Sequence, residues 1–347
     1  MRQSWPLPAE KRPIVAVGAG AIVRHAHWPA YKLAGFEVAS VFDVDTARAR
    51  SLAADFGVPH VCASLSELVE SAPPEAVFDL ATPANSIREI LAKIPEDSGV
   101  LIQKPMGENL EQAEEIVRIV RERNLVAAVN FQLRYAPYAL AARDLVEEVV
   151  GDIYEVEFKV NVHTPWELWD FLEKAPRMEI VYHSIHYLDF IRSLLGEPER
   201  VLASTMKHPS SPRLHSSRSV IALEYGENTR AVVTTNHAHD FGTKHQESYC
   251  RVEGSKGCVR FQMGLNMNYP EGLGDTLEYC LRGTSNWLEV PLSGSWFPEA
   301  FIGPMSALMR CLAGEQDTMW TEVADALKTM ELVERCYVAA IGTPRHR

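Results

Sequence analysis

The stretch PIVAVGAGAIVRHAHWPAYKLAGFEVASVFDVD at residues 13–45 decides the fold of this chain. Its first part, IVAV at 14–17, is an apolar run rich in β-branched residues that stops at Gly18-Ala19-Gly20, as a buried parallel strand does where it leaves a sheet. A helix is predicted after the glycines, and the apolar run at 38–42 predicts a second strand. The order strand, glycine turn, helix, strand predicts the first unit of a doubly wound α/β sheet.

The glycine turn has the features of a phosphate-binding loop. Gly18 permits a tight turn, and Gly20 lets the backbone approach a pyrophosphate held by unpaired N–H groups at the start of the helix. Val23 stands where G-x-G-x-x-G has its third glycine, so the glycines alone leave open an ordinary strand-to-helix turn. Asp43 ends the second strand about 25 residues after the first glycine, where a carboxylate accepts hydrogen bonds from ribose hydroxyls. The whole pattern predicts a dinucleotide site, for NAD in preference to NADP because Asp43 would repel a 2′-phosphate.

Strand and helix patterns alternate up to residue 130. Helices are predicted at 46–56 and 110–123, and strands at 76–80, 100–102 and 125–129. Together with the strands at 14–17 and 38–42, they are expected to belong to a sheet of six strands. Such alternation implies parallel strands joined by right-handed crossovers, with ligands beyond their carboxyl ends. Lys104 follows a buried strand, so it either faces the ligand edge or is a surface lysine that extends into solvent. The predicted cofactor-binding residues are Gly18, Gly20, Ala21, Ile22, Asp43, Ala81, Thr82, Gln103 and Lys104.

From residue 137 the pattern changes to short runs of alternating polarity separated by glycine-containing turns, which is typical of antiparallel strands. Strands of one antiparallel sheet are predicted at 153–162, 200–206, 219–225, 231–236, 249–253, 258–262, 276–281 and 287–290. Helices are predicted at 138–150, 178–195, 298–313 and 321–341. We therefore predict two domains, 1–130 and 131–347.

The composition excludes several classes of protein. The chain has 347 residues, of which 46% are hydrophobic and 23% charged, as in soluble globular proteins. The net charge of -12 and the lack of a Lys/Arg run argue against nucleic acid as a partner. The apolar runs are strand-sized and the first residues lack a secretory pattern, so no membrane contact and a cytoplasmic location are expected. The six cysteines are scattered singly and are expected to be reduced.

Several motifs in a fixed order point to one family. They are GAGAI with His27-Trp28-Pro29-Ala30, Asp43, Ala81-Thr82-Pro83, Gln103-Lys104-Pro105, His186-Tyr187-Leu188-Asp189 and LLGEP at 194–198. With this set, the chain resembles the glucose-fructose oxidoreductase/inositol dehydrogenase (Gfo/Idh/MocA) family over nearly its whole length. The resemblance implies an N-terminal Rossmann domain that binds NAD and a C-terminal substrate-binding α/β domain with a large open antiparallel sheet. It also implies homodimers or homotetramers, and hydride transfer between nicotinamide and a secondary alcohol of a sugar, a polyol or a sugar derivative.

Two family motifs carry the chemistry that the resemblance implies. The E-K-P motif of the family appears as Gln103-Lys104-Pro105, and its D-x-G-x-H-x-x-D motif appears at 182–189. His186 matches the histidine, whereas Tyr182 replaces the first aspartate and Ser184 the glycine. The implied catalytic residues are thus Lys104 and His186, with Tyr182 in place of the carboxylate. Three roles stay open for Tyr182: hydrogen-bond partner of the histidine, substrate contact or packing.

Oxidation of a secondary alcohol needs a base for the hydroxyl proton while the hydride leaves carbon. An imidazole titrates near pH 6.5, which suits His186 to that role, and the ammonium of Lys104 would stabilise developing alkoxide charge on the same oxygen. Polar and aromatic side chains of the second domain are predicted to meet a hydroxyl-rich substrate, although each could also belong to a loop or sheet surface. The predicted substrate-binding residues are Lys104, His163, Trp166, Tyr182, His183, His186 and His237.

Glu179, His183 and His186 occur at positions i, i+4 and i+7 of a predicted helix, which is also a metal-ligand spacing. Hydride transfer to nicotinamide needs no Lewis acid, and the sequence contains no H-E-x-x-H motif. We therefore expect no metal in the site.

Two other functions remain open from the sequence. One is a redox-neutral enzyme of the glycosidase or oxidoreductase type that uses tightly bound NAD transiently. The other is a non-catalytic, sugar-sensing regulator that only binds NAD. The presence of both Lys104 and His186 counts against the regulator.

Overall fold

The computed structural model describes residues 1–166 and 170–341 of the chain. The chain forms two compact units. The parallel-sheet unit comprises Ser4–Ala136 and Trp296–Met330, and the mixed-sheet unit comprises Met1–Gln3, Pro137–Ser295 and the residues from Glu331 onward. Neither unit is continuous in sequence, and the domains 1–130 and 131–347 remain a prediction about the sequence.

Helices occur in both units. Their bounds are α1 (Trp28–Ala34), α2 (Thr46–Phe56), α3 (Leu65–Glu70), α4 (Ile87–Leu91), α5 (Leu110–Glu122), α6 (Pro137–Leu145), α7 (Ile185–Leu195), α8 (Ile302–Leu312) and α9 (Val323–Ile341). π-helical turns at Val23–His27 and Ile180–Ser184 lead into α1 and α7, where the sequence predicted continuous α-helix. Over the described ranges, no helix has both the length and the apolar character needed to cross a membrane.

The parallel-sheet unit is built on a sheet with strand order β3-β2-β1-β4-β5-β6, in which every pair is parallel. The strands are β1 (Ile14–Val17), β2 (Val38–Phe42), β3 (His60–Val61), β4 (Val77–Leu80), β5 (Gly99–Ile102) and β6 (Val126–Val129). All residues of β1, β4 and β5 are buried, as expected for strands covered on both faces. The predicted doubly wound sheet is confirmed, and only the two-residue β3 escaped the sequence pattern.

Residues 296–330 pack in the parallel-sheet unit, although they follow the strands of the other sheet in sequence. The Val129 N–H donates at 2.7 Å to the carbonyl of Thr321, which lies shortly before α9. Phe301, Met305 and Leu308 are buried in the same apolar core as β1. The polypeptide therefore returns to complete the first core after forming the second sheet.

The mixed-sheet unit is built on a sheet with strand order β14-β13-β12-β11-β7-β10-β9-β8. The strands are β7 (Ile153–Asn161), β8 (Arg200–Met206), β9 (Arg218–Tyr225), β10 (Thr229–Asn236), β11 (Glu247–Gly254), β12 (Gly257–Gln262), β13 (Thr276–Leu281) and β14 (Leu288–Glu289). The predicted large antiparallel sheet is confirmed, with one parallel pair, β7 and β10, that the sequence did not indicate. A parallel pair needs a long crossover, which α7, β8 and β9 supply here.

One face of this sheet is apolar and the other is largely charged. Val156, Phe158 and Val160 of β7 are buried, and the Phe158 ring stacks on Tyr187 of α7 with centroids 4.7 Å apart. The alternate residues of β7 form ion pairs with neighbouring strands, such as Glu155 with Arg230 at 2.9 Å. Helix α7 thus covers the inner face, as the period-2 pattern requires.

Candidate functional site

The two glycines after β1 have different surroundings. Gly18 has φ +106°, and a Cβ there would lie 2.3 Å from the Ala81 carbonyl oxygen, so only glycine fits. A Cβ on Gly20 would meet no atom within 4 Å. The helical segment begins directly afterwards, at Ala21 and Ile22. In general, N–H groups at the start of a helix have no carbonyl partner within the helix. Open space over Gly20, at the start of a helical segment, fits a phosphate group.

Asp43 lies beside this turn, at the end of β2. Its Oδ2 accepts a hydrogen bond from the Ala19 N–H at 2.7 Å, and its Oδ1 accepts one from the Asp45 N–H at 2.8 Å. Arg48, the nearest arginine in sequence, pairs with Asp45 at 3.2 Å. A carboxylate held against the glycine turn is suited to ribose hydroxyls and opposes a 2′-phosphate.

Polar side chains follow β4 and β5 at their carboxyl ends. Thr82 comes after β4, and Gln103 and Lys104 come after β5. The Oγ1 of Thr82 and the Oε1 of Gln103 are buried, and neither has a hydrogen-bond partner within the described residues. Buried polar atoms of this kind are rare in proteins and fit a ligand that would pair with them. Together with Gly20 and Asp43, these residues would hold a dinucleotide.

Lys104 is partly buried at this edge of the sheet. Removal of the ammonium from water lowers the pKa of Lys104 to about 8. A lysine that loses part of its hydration is typical of functional sites, whereas a lysine extending into solvent keeps its ordinary pKa.

A buried polar network in the parallel-sheet unit was missed by the sequence analysis. His27 Nδ1 lies 2.9 Å from Asp79 Oδ2, and the Tyr31 hydroxyl donates to the same oxygen at 2.9 Å. The Asn130 amide lies 3.2 Å from His27 Nε2 on the other side of the ring. Asn130 directly follows β6, so the network links the first helix to the carboxyl edge of the sheet. The signal in the sequence was Asp79 inside the apolar strand VFDL, because a buried carboxylate requires partners.

In the mixed-sheet unit, the predicted catalytic helix begins with the π-helical turn. His186 lies in the first turn of α7 and is 5% exposed. The Tyr182 ring packs against an apolar cluster that includes Met178 and Leu214, and its centroid lies 5.6 Å from that of Phe171. Of the three roles left open for Tyr182, these contacts favour packing.

The predicted substrate-binding residues of this unit fall into two groups. Trp166, His183 and His237 lie together, with ring centroids 5.0 Å apart for Trp166–His237 and 4.1 Å apart for His183–His237. The buried Glu179 lies beside them, 3.3 Å from His237 Nε2. His163 is exposed, and its backbone forms an isolated antiparallel β-bridge with Ala238.

Both parts of the chain match family models. Residues 13–131 match the Gfo/Idh/MocA oxidoreductase model described as an NAD-binding Rossmann fold, and residues 139–260 match a C-terminal domain model of the same family. The chain belongs to the Gfo/Idh/MocA family. Its members are NAD-binding oxidoreductases, which agrees with the glycine turn, Asp43 and the parallel sheet.

Individual relatives extend this result. Among curated members of the Gfo/Idh/MocA family, 1,5-anhydro-D-fructose reductase of Ensifer adhaerens is 32% identical over 280 residues, 80% of this chain and 81% of the relative. An oxidoreductase from Agrobacterium radiobacter, solved with NAD+, L-tartaric acid and magnesium, has a TM-score of 0.79 and 22% identity, covering 96% of this chain and 97% of its own. The WlbA dehydrogenase from Bordetella pertussis, in complex with NADH and UDP-GlcNAcA, has a TM-score of 0.74, 20% identity and coverage of 96% and 97%. At these identities the two solved structures share the fold.

Proposed function

We propose that this chain is an NAD-dependent dehydrogenase or reductase that transfers a hydride between nicotinamide and a secondary alcohol of a sugar, a polyol or a sugar derivative. The observation that carries the proposal is Lys104, partly desolvated with its pKa lowered to about 8, at the edge that also presents Thr82 and Gln103. The sugar class is supported by the 1,5-anhydro-D-fructose reductase relative.

In this proposal Lys104 and His186 act on the reacting oxygen. When bound, NAD accepts or donates the hydride. The ammonium of Lys104 donates a hydrogen bond to that oxygen and stabilises negative charge on it, and His186 takes the proton in oxidation or returns it in reduction. The ammonium of Lys104 supplies the positive charge beside the oxygen, so the step needs no metal.

The proposed substrate contacts in the mixed-sheet unit are Trp166, His183 and His237, with the exposed His163 as an outer contact. The ring group combines an indole face with imidazole nitrogens. Aromatic faces cover the apolar side of a sugar ring, and polar ring atoms hydrogen-bond to its hydroxyls.

The test is a screen of sugars, polyols and their lactones with NAD and with NADP, followed by the absorbance of the reduced cofactor. We expect turnover with NAD, and a fall in kcat of about 100-fold or more for both Lys104→Met and His186→Ala. The Kd for NAD should stay nearly unchanged in the two variants, because the glycine turn and Asp43 are untouched. A His186→Ala enzyme that kept most of its activity would refute the assignment of the base.

The same screen separates the other two functions. A chain that purifies with stoichiometric NAD and converts substrate without net reduction would be a redox-neutral enzyme. Sugar binding without any turnover would indicate a regulator.

A further inference from the structure

We propose that Glu179, His183 and His237 form a binding site for a divalent metal ion of the zinc type. Glu179 Oε1 lies 3.3 Å from His237 Nε2 and 3.9 Å from His183 Nδ1. One ligand atom from each residue lies within 4.8 Å of the other two. This site goes beyond the hydride transfer proposed above, which requires no metal. It uses Glu179 together with His183 and His237, two of the proposed substrate contacts, and neither Lys104 nor His186.

The π-helical turn explains why this set of residues meets, and not the set at i, i+4 and i+7. Hydrogen bonding from i to i+5 widens the turn over Ile180–Ser184, so the regular α-helical face is interrupted after Glu179. His183 still lies beside Glu179, whereas the third ligand position is taken by His237, which follows β10. π-helical turns of this kind are common at functional sites.

Hydroxyl groups orient the two fully buried ligands, Glu179 and His237. His237 Nδ1 lies 2.9 Å from the Thr164 hydroxyl, and Ser184 Oγ donates to Glu179 Oε1 at 2.7 Å. Without an ion, His237 Nε2–H donates to Glu179 Oε1. With an ion bound, Nδ1–H would donate to Thr164 and leave the lone pair of Nε2 for the metal. Ligands of protein-bound metals are held by outer hydrogen bonds in the same way.

The carboxylate of Glu179 also has one buried oxygen that an ion could pair with. The residue is fully buried, and its Oε2 has no hydrogen-bond partner among the residues described. The rings of His183 and His237 are only 4.1 Å apart, and two protonated imidazoles at that distance would repel each other. A divalent ion lets both imidazoles stay neutral while it balances the carboxylate.

The donor set selects the class of metal. Two imidazole nitrogens and one carboxylate oxygen are a common catalytic zinc set, with ligands at about 2.0–2.1 Å and a fourth position for water. Ligand atoms around tetrahedral zinc lie about 3.4 Å apart, so the observed 3.3 Å and 3.9 Å need only a small side-chain shift. Magnesium is disfavoured because it requires oxygen ligands. His183 is partly exposed, at 19%, and gives the ion a route to the site.

The experiment measures metal binding directly. The full chain is treated with a chelator, exchanged into metal-free buffer and titrated calorimetrically with ZnCl2, and the zinc content is measured by mass spectrometry. We expect about one zinc ion per chain, and a loss of affinity of about 100-fold or more in His183→Gln and in His237→Gln. His239→Gln is the matched control, because His239 stands two residues from His237 but its Nδ1 contacts Asn161 at 3.1 Å. MgCl2 in large excess should not displace the zinc.

Three results would overturn the site. They are a wild-type chain that binds no zinc, variants that bind it as tightly as wild type, and a control that loses affinity to the same extent. If His237→Gln does not fold, His183→Gln decides the question because its side chain is partly exposed. Zinc binding without dehydrogenase activity would refute only the proposed function, and activity without zinc binding would refute only the metal site.

Discussion

At the scale of single residues, the charge state of Lys104 controls the proposed chemistry. The lysine follows β5 directly, in a position where its ammonium is partly removed from water. The desolvation lowers the pKa to about 8, so the group titrates within the range in which enzymes are assayed. Because only the ammonium stabilises an alkoxide, activity should depend on pH above neutrality.

We expect kcat/KM for oxidation to fall as the pH rises above about 8, because deprotonation of Lys104 removes the positive charge. In Lys104→Met this alkaline fall should disappear along with most of the rate. Lys104→Arg keeps a cation that does not titrate in this range, so its remaining activity should stay flat to higher pH. The measurement is a pH profile of all three proteins. An unchanged alkaline fall in Lys104→Met would contradict the role of the lysine.

Tyr182 gives a second prediction at this scale. Its ring packs against Met178, Leu214 and Phe171, so Tyr182→Phe should keep these contacts and change kcat by less than about threefold. Tyr182→Ala should lower the free energy of unfolding by roughly 1–3 kcal/mol, because the ring is lost from a partly buried cluster. Steady-state kinetics and denaturant unfolding of the two variants test this. A fall of 100-fold in kcat for Tyr182→Phe would assign the phenol a catalytic role.

At the scale of elements, the two glycines of the turn serve different purposes, one in the fold and the other in the proposed binding of the ligand. Gly18 is required by its positive φ and by the carbonyl of Ala81, whereas Gly20 faces open space. The buried pair His27 and Asp79 connects the helical segment after the turn to β4. The fold therefore fixes the conformation of Gly18 and leaves the space over Gly20 for a ligand.

The two glycines should respond differently to the same substitution. Gly18→Ala places a Cβ 2.3 Å from a backbone oxygen and should lower the free energy of unfolding by roughly 1–3 kcal/mol. Gly20→Ala should fold with nearly unchanged stability but raise the Kd for NAD by about tenfold, because its methyl group enters the space proposed for the phosphates. Thermal unfolding and NAD titration of both variants provide the test. Wild-type NAD affinity in Gly20→Ala would place the phosphates elsewhere.

At the scale of the whole molecule, the chain leaves part of its second sheet uncovered. On the outer face, Leu202 of β8 and Val220 of β9 are 44% and 50% exposed, next to Ala222. Elsewhere on the same face, ion pairs such as Glu155 with Arg230 cover the strands. Neighbouring apolar side chains on an open sheet favour pairing with a second copy of the chain.

We therefore expect a homodimer or homotetramer. Light scattering at micromolar concentration should give two or four times the chain mass of 38.8 kDa. Val220→Lys should shift the mass toward the monomer, because a charge replaces an apolar contact. Leu33→Lys is the control, since Leu33 is 63% exposed in the parallel-sheet unit. A wild-type monomer would exclude the assembly, and an oligomer that survives Val220→Lys would move the interface away from this face.

The sequence by itself determined the order and type of most elements, the parallel sheet and the glycine turn with Asp43. These features depend on periodicity and on residues close together in the chain, which a sequence displays directly. It also indicated Lys104 through its position after a buried strand.

Only the tertiary structure decided the partners of distant residues. It paired β7 with β10 in parallel and placed residues 296–330 in the parallel-sheet unit. It also placed His27 in hydrogen-bonding contact with Asp79, 52 positions away. It also brought His237 to Glu179 across 58 positions and turned Tyr182 toward an apolar cluster. The local pattern around Glu179 favoured His186 because it assumes an α-helical repeat, which the π-helical turn breaks. Contacts of this range depend on how the chain packs, and no local period in the sequence encodes them.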